Sequence, residues 1–322
     1  MNSNHTPRPI FVVGPTASGK TSLSVYLAEH LGAEIVSADS MQIYQGMTIG
    51  TAAPTAEEMH GVPHHMVGVV SPLQPFSASQ YREMAQPIVR DILQHGKTPI
   101  VVGGTGLYFD ALLMAEDYAP MEADLAYRAE LNALAVQQGN EAVHALLKAC
   151  DPSAAARLHP NDLRRVIRAL EVFKLTGESI DAQNKKSQQT EKVFDPIWIG
   201  ICPEDRVQLS MQIDMRVDEM LKKGLLDELR GLLAAGLSAD TTAMQAIGYK
   251  EFLPVLDGSC RLEDAAEEVK KRSRNYAKRQ MTWFKRNLAI RWFTYGSLAA
   301  FAELKPSVLT AVQTELSDRR PL

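Results

Sequence analysis

Short apolar runs alternate with stretches of helical spacing over the first 115 residues of the chain. The runs at 10–13, 34–38 and 98–102 predict buried strands, while apolar spacing predicts a helix after the first strand and another over 77–95. Strands of this kind, separated by helices, are typical of a parallel sheet that is covered on both faces. The pattern therefore predicts an α/β core.

The strand pattern stops near residue 116, and helical spacing takes its place for about eighty residues. A polar stretch at 178–192 predicts a connection, after which strands are predicted at 197–201 and 291–295. Helical patterns fill 204–235 and 262–287. The domains that we predict are a core of 1–115 and 196–300, a helical insertion of 116–195 and a C-terminal tail of 301–322.

The composition is that of a globular protein, since 45% of the 322 residues are hydrophobic and 22% are charged. No apolar run approaches the roughly 20 residues that cross a bilayer, and the polar start of the chain predicts no signal peptide. We therefore expect a cytoplasmic protein that binds no membrane. The formal net charge of −4 excludes a general nucleic-acid binder, so any such binding needs local basic surfaces.

A glycine-rich loop follows the first predicted strand and precedes the first predicted helix. The loop, Gly14-Pro15-Thr16-Ala17-Ser18-Gly19-Lys20-Thr21, fits G-x-x-x-x-G-K-[ST] at every fixed position. Strand, loop and helix in this order support a phosphate-binding function. Backbone N–H groups and the positive helix end attract phosphate, Lys20 can reach its oxygens, and the Thr21 hydroxyl suits Mg²⁺. We predict a P-loop NTPase-like fold; an ordinary glycine-rich turn is the alternative.

Other polar residues follow the remaining strands of the predicted sheet, where ligands of open parallel sheets bind. The second strand delivers Asp39 and Ser40, then Gln42, and the third delivers a glycine-rich segment with Thr105. Nucleotide-hydrolysing enzymes often place a metal-binding aspartate after such a third strand. Its absence makes Asp39 the carboxylate best placed to face the phosphate loop. Alternatively, Asp39 and Ser40 only cap the next turn.

Two predicted helices carry basic residues that could bind an anionic partner. In the insertion, Arg164, Arg165 and Arg168 lie largely opposite the apolar stripe of their helix. A longer run has no acidic residue from its first to its last member: Lys270, Lys271, Arg272, Arg274, Lys278, Arg279, Lys285 and Arg286. On a chain of negative total charge this run predicts a polyanion or a phosphate-rich site nearby, although a solvated helix face is the alternative.

Further segments join the phosphate loop in a series that runs from Ile10 to about Trp292. The matching segments are 14–21, 37–44, 50–52, 63–65, 102–108, 158–162, 168–171, 245–250 and 276–284. In this order they resemble the tRNA dimethylallyltransferase family, also called tRNA isopentenyltransferases. Met41 stands where many members have arginine. No zinc-finger extension follows, so the chain is similar to the short bacterial-type form.

The resemblance implies transfer of a dimethylallyl group from dimethylallyl diphosphate to N6 of the adenosine on the 3′ side of the anticodon. The substrates would be tRNAs that read codons beginning with U, and diphosphate would be released. The phosphate loop would hold the diphosphate, with Mg²⁺ bound through Thr21, while Arg216 steadies it and Thr16 lines the donor site. Asp39 would remove a proton from the attacking amine.

By the same resemblance, the anticodon stem-loop would be clamped by the insertion and by loops of the core, and we expect a monomer. The positions implied to contact tRNA are Asp39, Ser40, Met41, Gln42, Thr105, Arg128, Leu163, Arg164, Arg165, Val166, Ile167, Gln245, Ala246, Ile247, Gly248, Tyr249 and Lys250.

Two other functions fit part of the pattern. A P-loop nucleoside or nucleotide kinase would share the first hundred residues and use ATP as phosphoryl donor, without need of the long basic helix. A nucleotide-gated RNA-binding module would keep the phosphate loop and the basic surfaces but would tolerate loss of Asp39.

Overall fold

The computed structural model describes residues 8–115, 124–189 and 192–317. The chain divides into two compact units, which we call the core unit (Met1–Leu113 with Phe194–Leu322) and the insertion unit (Met114–Val193). Where the sequence predicts an insertion over 116–195, the structure has this second unit.

The core unit is built on a six-stranded sheet in which every strand pair is parallel. Its strands are β1 (Ile10–Val13), β2 (Glu34–Ser37), β3 (His64–His65), β4 (Pro99–Gly103), β5 (Ile197–Pro203) and β6 (Arg291–Tyr295). Their spatial order is β3-β2-β4-β1-β5-β6. The α/β prediction is therefore confirmed, and β1, a run of four fully buried apolar residues, lies near the centre of the sheet.

Helices account for most of the remaining described residues. They are α1 (Lys20–Leu31), α2 (Ala78–Gln94), α3 (Gly106–Leu113), α4 (Leu125–Gln138), α5 (Asn140–Cys150), α6 (Pro152–Arg157), α7 (Leu163–Thr176), α8 (Ile180–Gln189), α9 (Arg206–Lys222), α10 (Leu225–Ala234), α11 (Leu253–Leu256), α12 (Leu262–Phe284) and α13 (Leu298–Ser317). Helices α4 to α8 belong to the insertion unit. Among the described residues, no helix is both long and apolar enough to span a membrane.

Local sequence signals explain several helix ends. Ser77 begins α2 with a capping box, in which its hydroxyl accepts from the Gln80 N–H and the Gln80 side chain accepts from the Ser77 N–H. Gly32 ends α1 and Gly177 ends α7, each in the left-handed conformation that glycine adopts without strain. Gly224, also left-handed, separates α9 from α10 within the helical pattern predicted as continuous over 204–235.

Two predicted connections are helices instead. The tail predicted over 301–322 is wrong over 301–317, because α13 packs on the sheet through Phe301, Val308 and Val312, which lie in the main hydrophobic core. Residues 318–322 of this prediction lie outside the described residues. The polar connection predicted over 178–192 is likewise wrong over Ile180–Gln189, which forms α8. Glutamine and lysine, which recur in α8, are good helix formers even without an apolar stripe.

Candidate active site

The phosphate loop connects β1 to α1 and closes tightly against its neighbours. A Cβ atom at Gly14 would lie 2.2 Å from the Ile201 carbonyl oxygen of β5, so the loop can pass the sheet only as glycine. At Gly19, where φ is +81°, a Cβ would lie 2.7 Å from the Phe301 ring of α13. Helix α13, which was not predicted from the sequence, therefore packs against the phosphate loop.

Lys20 folds back over this loop, and its Nζ donates to the Pro15 carbonyl oxygen at 2.6 Å. Burial, assisted by the nearby Arg216 guanidinium, lowers the pKa of Lys20 to about 7, while the Asp39 carboxylate opposes this shift. A cation that is desolvated in this way gains most from a multiply charged anion. The geometry thus suits a phosphate or diphosphate group.

One cavity of about 280 Å³ brings the predicted phosphate and base residues together within the core unit. Its wall includes Thr16, Lys20 and Thr21 of the phosphate loop, Asp39 and the loop that follows it. The remaining polar lining includes Ser40, Gln42, Thr51, Arg216, Gln245, Ser273, Tyr276, Arg279 and Gln280. Apolar groups on α9 and α12, such as Val217 and Val269, also face this space. The cavity therefore offers an anion site beside an apolar wall.

Asp39 caps a turn and lines the cavity at once. Its Oδ1 accepts from the N–H groups of Met41 and Gln42, at 2.9 and 3.3 Å. Among the described residues its Oδ2 has no hydrogen-bond partner, so this oxygen remains able to accept a proton from a ligand. Ser40, next in the chain, donates its N–H to Thr105 Oγ1 at 3.0 Å, which joins the loops after β2 and β4.

Arg216 reaches the phosphate loop from the middle of α9. Its Nη1 donates to Thr16 Oγ1 at 3.3 Å, and its Nη2 donates to the Thr51 carbonyl oxygen at 3.4 Å. Burial lowers the pKa of this guanidinium, and the negative charge of Asp39 counteracts part of the effect. The carboxylate and the guanidinium are thus electrostatically coupled across the cavity.

The loop that carries Thr51 is held by a single carboxylate of α10, which the sequence did not single out. Glu228 accepts from the N–H groups of Thr48, Ile49 and Gly50 at 2.7–3.0 Å, and from the Thr48 hydroxyl at 2.8 Å. The Tyr249 hydroxyl also donates to Glu228, at 2.7 Å. Five donors converge on one side chain, so the loop has little freedom to move.

The predicted tRNA-contacting segment 245–250 belongs to the core unit and is partly buried in it. Gln245, Ala246 and Ile247 line the cavity, and Lys250 is exposed. Tyr249 is fully buried, with its hydroxyl on Glu228, so a tRNA contact at this position would have to use the backbone. Its role is to support the loop, because a Cβ at Gly50 would lie 2.5 Å from its ring.

In the insertion unit, the predicted contacts divide between surface and core. Arg164 and Arg165 are exposed. Val166 and Ile167 are at most 5% exposed and pack in the hydrophobic core of the unit, so tRNA contacts at these positions would also have to use the backbone. Leu163 packs against the edge of this core.

Arg128, another predicted tRNA contact, is held by a buried carboxylate of the insertion unit. It donates to both oxygens of Glu171 at 2.7 Å in a two-pronged ion pair. Arg168 pairs with the same carboxylate, which is 0% exposed. The fork of Arg128 is thereby fixed in one orientation, although about a third of its side chain stays exposed.

The basic run from Lys270 to Arg286, which we call the α12 basic run, extends two residues beyond the end of α12 and divides into paired and unpaired halves. Lys270, Lys271, Arg272 and Arg274 form ion pairs with acidic residues of α12 and of neighbouring elements. Lys278, Arg279, Lys285 and Arg286 form no ion pair with the described residues and are exposed. The first half, 270–274, therefore fits the alternative of a helix face that binds no polyanion. Among the described residues of the run, only those of the second half, 278–286, have positive charges without an ion-pair partner.

A parallel sheet, a phosphate loop and a carboxylate that share one cavity define a P-loop-type α/β enzyme with a helical insertion. Comparison with known proteins is more specific. The family model described as IPP transferase matches residues 42–287, and that described as isopentenyl transferase matches residues 9–67. The chain belongs to the IPP transferase family, whose curated members matched here are tRNA dimethylallyltransferases, as the sequence resemblance predicted.

Relatives match over nearly their whole length. The tRNA dimethylallyltransferase of Geobacillus thermodenitrificans is 46% identical over 92% of this chain and 93% of its own. That of Thermoanaerobacter sp. (strain X514) is 43% identical over 96% and 98%. Among solved structures, the tRNA isopentenylpyrophosphate transferase of Bacillus halodurans is 41% identical, covers 96% of both chains and has a TM-score of 0.71. A eukaryotic dimethylallyltransferase acting on tRNA has a TM-score of 0.82 at 29% identity, covering 98% of this chain and 81% of its own.

Proposed function

We propose that this enzyme transfers a dimethylallyl group from dimethylallyl diphosphate to N6 of the adenosine on the 3′ side of the tRNA anticodon. One observation carries the proposal: the phosphate loop, Arg216 and Asp39 line a single cavity that also has an apolar wall. This combination suits a donor with a diphosphate head and a hydrocarbon group, placed beside a group that accepts a proton. Membership of the family gives the reaction class.

In the reaction, the bond from the dimethylallyl carbon to the diphosphate oxygen breaks as the bond to N6 forms. Lys20 and Arg216 would hold the negative charge that develops on the leaving diphosphate. The Oδ2 atom of Asp39 would accept the proton that N6 releases, since Oδ1 of Asp39 already accepts from the N–H groups of Met41 and Gln42. A positioned base of this kind contributes about 10²–10⁴-fold to the rate.

Mg²⁺ is part of this proposal. The described residues include no cluster of three or more His, Cys, Asp or Glu side chains that could hold a metal ion. The Thr21 hydroxyl, which lines the cavity, fits an ion that is bound chiefly through the substrate, as Mg²⁺ usually is at phosphate sites. When bound there, the ion would neutralise charge on the diphosphate.

The adenine has to leave the stack of the anticodon loop to reach Asp39, as bases modified by enzymes do. We propose that Gln245, Ala246 and Ile247 receive it at the cavity, since they line the same cavity as Asp39. The insertion would clamp the stem-loop through its exposed arginines, Arg164 and Arg165. We further propose that the enzyme works as a monomer in the cytoplasm on tRNAs that read codons beginning with U.

The direct test is incubation of the purified enzyme with labelled dimethylallyl diphosphate and unmodified tRNA, followed by nucleoside analysis. Label in N6-(dimethylallyl)adenosine, dependent on Mg²⁺, is the expected result. The same preparation with ATP and free nucleosides, without tRNA, tests the kinase alternative. ATP turnover on a nucleoside, with no label in tRNA, would overturn the proposal.

A further inference from the structure

Gln280 of α12 connects two loops that the proposed reaction needs in fixed relation. Its side chain is 5% exposed. The amide oxygen accepts from the N–H of Thr16 in the phosphate loop at 2.8 Å. The amide nitrogen donates to the carbonyl oxygen of Gly104, in the loop after β4, at 2.9 Å. One amide therefore satisfies a donor on one loop and an acceptor on the other.

The loop after β4 has glycine where this amide packs against it. A Cβ atom at Gly104 would lie 2.0 Å from the amide nitrogen of Gln280, closer than real side chains approach. One turn later on α12, the Trp283 ring packs equally closely on Gly106, where a Cβ atom would lie 2.1 Å from the ring. The absence of side chains at these two glycines is what lets α12 dock.

The connection continues on both sides of Gln280. Gly104 is followed in the chain by Thr105, whose N–H donates to the carbonyl oxygen of Ala38, the residue before Asp39, at 3.3 Å. Thr105 in turn accepts from the N–H of Ser40, the residue after Asp39. On the other side, Thr16 accepts from Arg216 through its hydroxyl. The Asp39 loop is thus joined to the phosphate loop by the hydrogen bonds of Ser40 and Gln280, which meet at Gly104 and Thr105, neighbours in the chain.

From this geometry we infer that Gln280 is a positioning residue, whose amide fixes the phosphate loop relative to the Asp39 loop. The inference rests on the proposed function, in which the donor lies on one loop and the proton acceptor on the other. Gln280 would act through Thr16 and Thr105 without touching the reacting atoms. Its loss should lower the rate of the bound complex more than the affinity for either substrate.

The amide has a chemical property that a carboxylate shares only when it is protonated. It offers one acceptor and one donor at neutral pH, as the two partners require. In Gln280→Glu, an ionised carboxylate would still accept from Thr16 but would place a second acceptor against the Gly104 carbonyl. The protonated acid would restore the donor. Burial against a carbonyl oxygen raises the pKa of such a carboxyl group, so this change falls within an accessible pH range.

The test compares the wild type with Gln280→Glu and Gln280→Leu in prenyl transfer to unmodified tRNA, from pH 6 to pH 8.5. At high pH we expect kcat of Gln280→Glu to be about 100-fold below that of the wild type, the loss that small misplacements of reacting groups produce. KM for both substrates should change by less than about threefold, because the interactions that bind the substrates equally in the ground state and the transition state are retained. As the pH falls, the ratio of Gln280→Glu to wild type should rise, whereas that of Gln280→Leu should stay constant.

A matched control is available on α2. Gln86 is 3% exposed and donates to the Leu112 carbonyl oxygen at 2.9 Å, but it does not line the cavity. Gln86→Glu should lose stability without a pH-dependent loss of kcat. If Gln280→Glu does not fold, Gly104→Ala displaces the same amide in an otherwise native chain and should lower kcat with KM preserved.

An unchanged kcat, or a loss that is equal at every pH and matched by Gln86→Glu, would overturn the inference. In the Gly104→Ala variant, a wild-type kcat would overturn it as well. Failure of the proposed function is a separate result, because the wild type would then transfer no dimethylallyl group at any pH.

Discussion

Arg216 Nη1 lies 3.3 Å from Thr16 Oγ1, although the two residues are 200 positions apart in the chain. Helix α9 thereby brings a guanidinium to the phosphate loop from outside the P-loop motif. The same guanidinium contacts the Thr51 carbonyl oxygen, in the loop that Glu228 holds. The donor site is therefore assembled from three segments, of which the motif supplies only one.

Replacing Arg216 with Gln should weaken capture of the leaving diphosphate while leaving tRNA affinity unchanged. Loss of a buried cation that binds diphosphate should lower kcat/KM for dimethylallyl diphosphate by about 100-fold, equivalent to roughly 2.7 kcal/mol. Steady-state kinetics at saturating tRNA measure this loss. Arg206→Gln, at the exposed start of the same helix, is the control and should retain wild-type kinetics. Equal effects of the two substitutions would contradict the assignment.

Diphosphate binding should take up a proton at pH 8. In the free enzyme burial lowers the pKa of Lys20 to about 7, so the amine is largely neutral at that pH. The bound anion favours the ammonium form and raises the pKa again, so affinity should weaken as the pH rises above about 7. Calorimetry with inorganic diphosphate in buffers of different ionisation enthalpy measures the uptake.

Lys20→Met serves as the control for this titration, because it removes the group without adding a charge. The variant should show less proton uptake than the wild type at pH 8. At pH 6, where Lys20 is already protonated, the wild type and the variant should take up the same number of protons. Identical uptake by both proteins at pH 8 would show that Lys20 does not titrate on binding.

Affinity for tRNA should fall steeply with salt, and the unpaired half of the α12 basic run should account for part of the slope. Each phosphate contact contributes about 0.7–0.9 to the slope of log K against log salt. Substituting Lys278 or Lys285 with Gln should reduce the slope by about that amount. Lys271→Gln is the control, since Lys271 pairs with Glu268. A flat salt response of the wild type would exclude α12 as an RNA contact.

Glu228→Ala should destabilise the core unit, because it leaves the donors of the Thr48–Gly50 loop and of Tyr249 without their acceptor. Unpaired buried donors cost about 1–3 kcal/mol each, and two of these donors, the Gly50 N–H and the Tyr249 hydroxyl, belong to buried residues, so we expect a total loss of about 2–6 kcal/mol. Denaturant unfolding measures this loss. Asp227→Asn, next to Glu228 on the surface of α10, is the control and should change stability by less than about 0.5 kcal/mol.

The same carboxylate gives this stability a pH dependence. Burial opposes ionisation of Glu228, but the N–H groups of Ile49 and Gly50 and the Tyr249 hydroxyl outweigh it and lower the pKa. A lowered pKa in the folded state means that the contribution is present at neutral pH and lost as the pH falls below 4.5. The difference in unfolding free energy between wild type and Glu228→Ala should shrink in that range.

Much of this site is local in sequence and could be predicted from it. The phosphate loop is a contiguous motif, and Asp39 directly follows a buried strand, so parallel-sheet topology alone places both at one edge. Arg216 and most of the tRNA segments came only from the family resemblance. The surface of α9 offers no pattern that distinguishes Arg216 from an ordinary exposed arginine.

Gln280 and Glu228 had no signal that local reasoning could use. Each bonds to backbone groups far away in the chain: 264 positions separate Gln280 from Thr16, and 178 separate Glu228 from Gly50. Helix α13 is different, because Phe301, Leu304, Val308 and Val312 have helical spacing and Pro306 obscured it. Val166, Ile167 and Tyr249 are buried among apolar residues, although they belong to segments that the family resemblance implies to contact tRNA.

In the proposed reaction, Asp39 accepts a proton in the cavity where the phosphate loop holds the donor. The most direct measurement is the single-turnover rate of dimethylallyl transfer to tRNA by Asp39→Asn, which keeps an oxygen to cap Met41 and Gln42. We predict a rate about 10²–10⁴-fold below that of the wild type, with tRNA affinity within a few-fold. A wild-type rate in this variant would contradict the role of Asp39 as the proton acceptor.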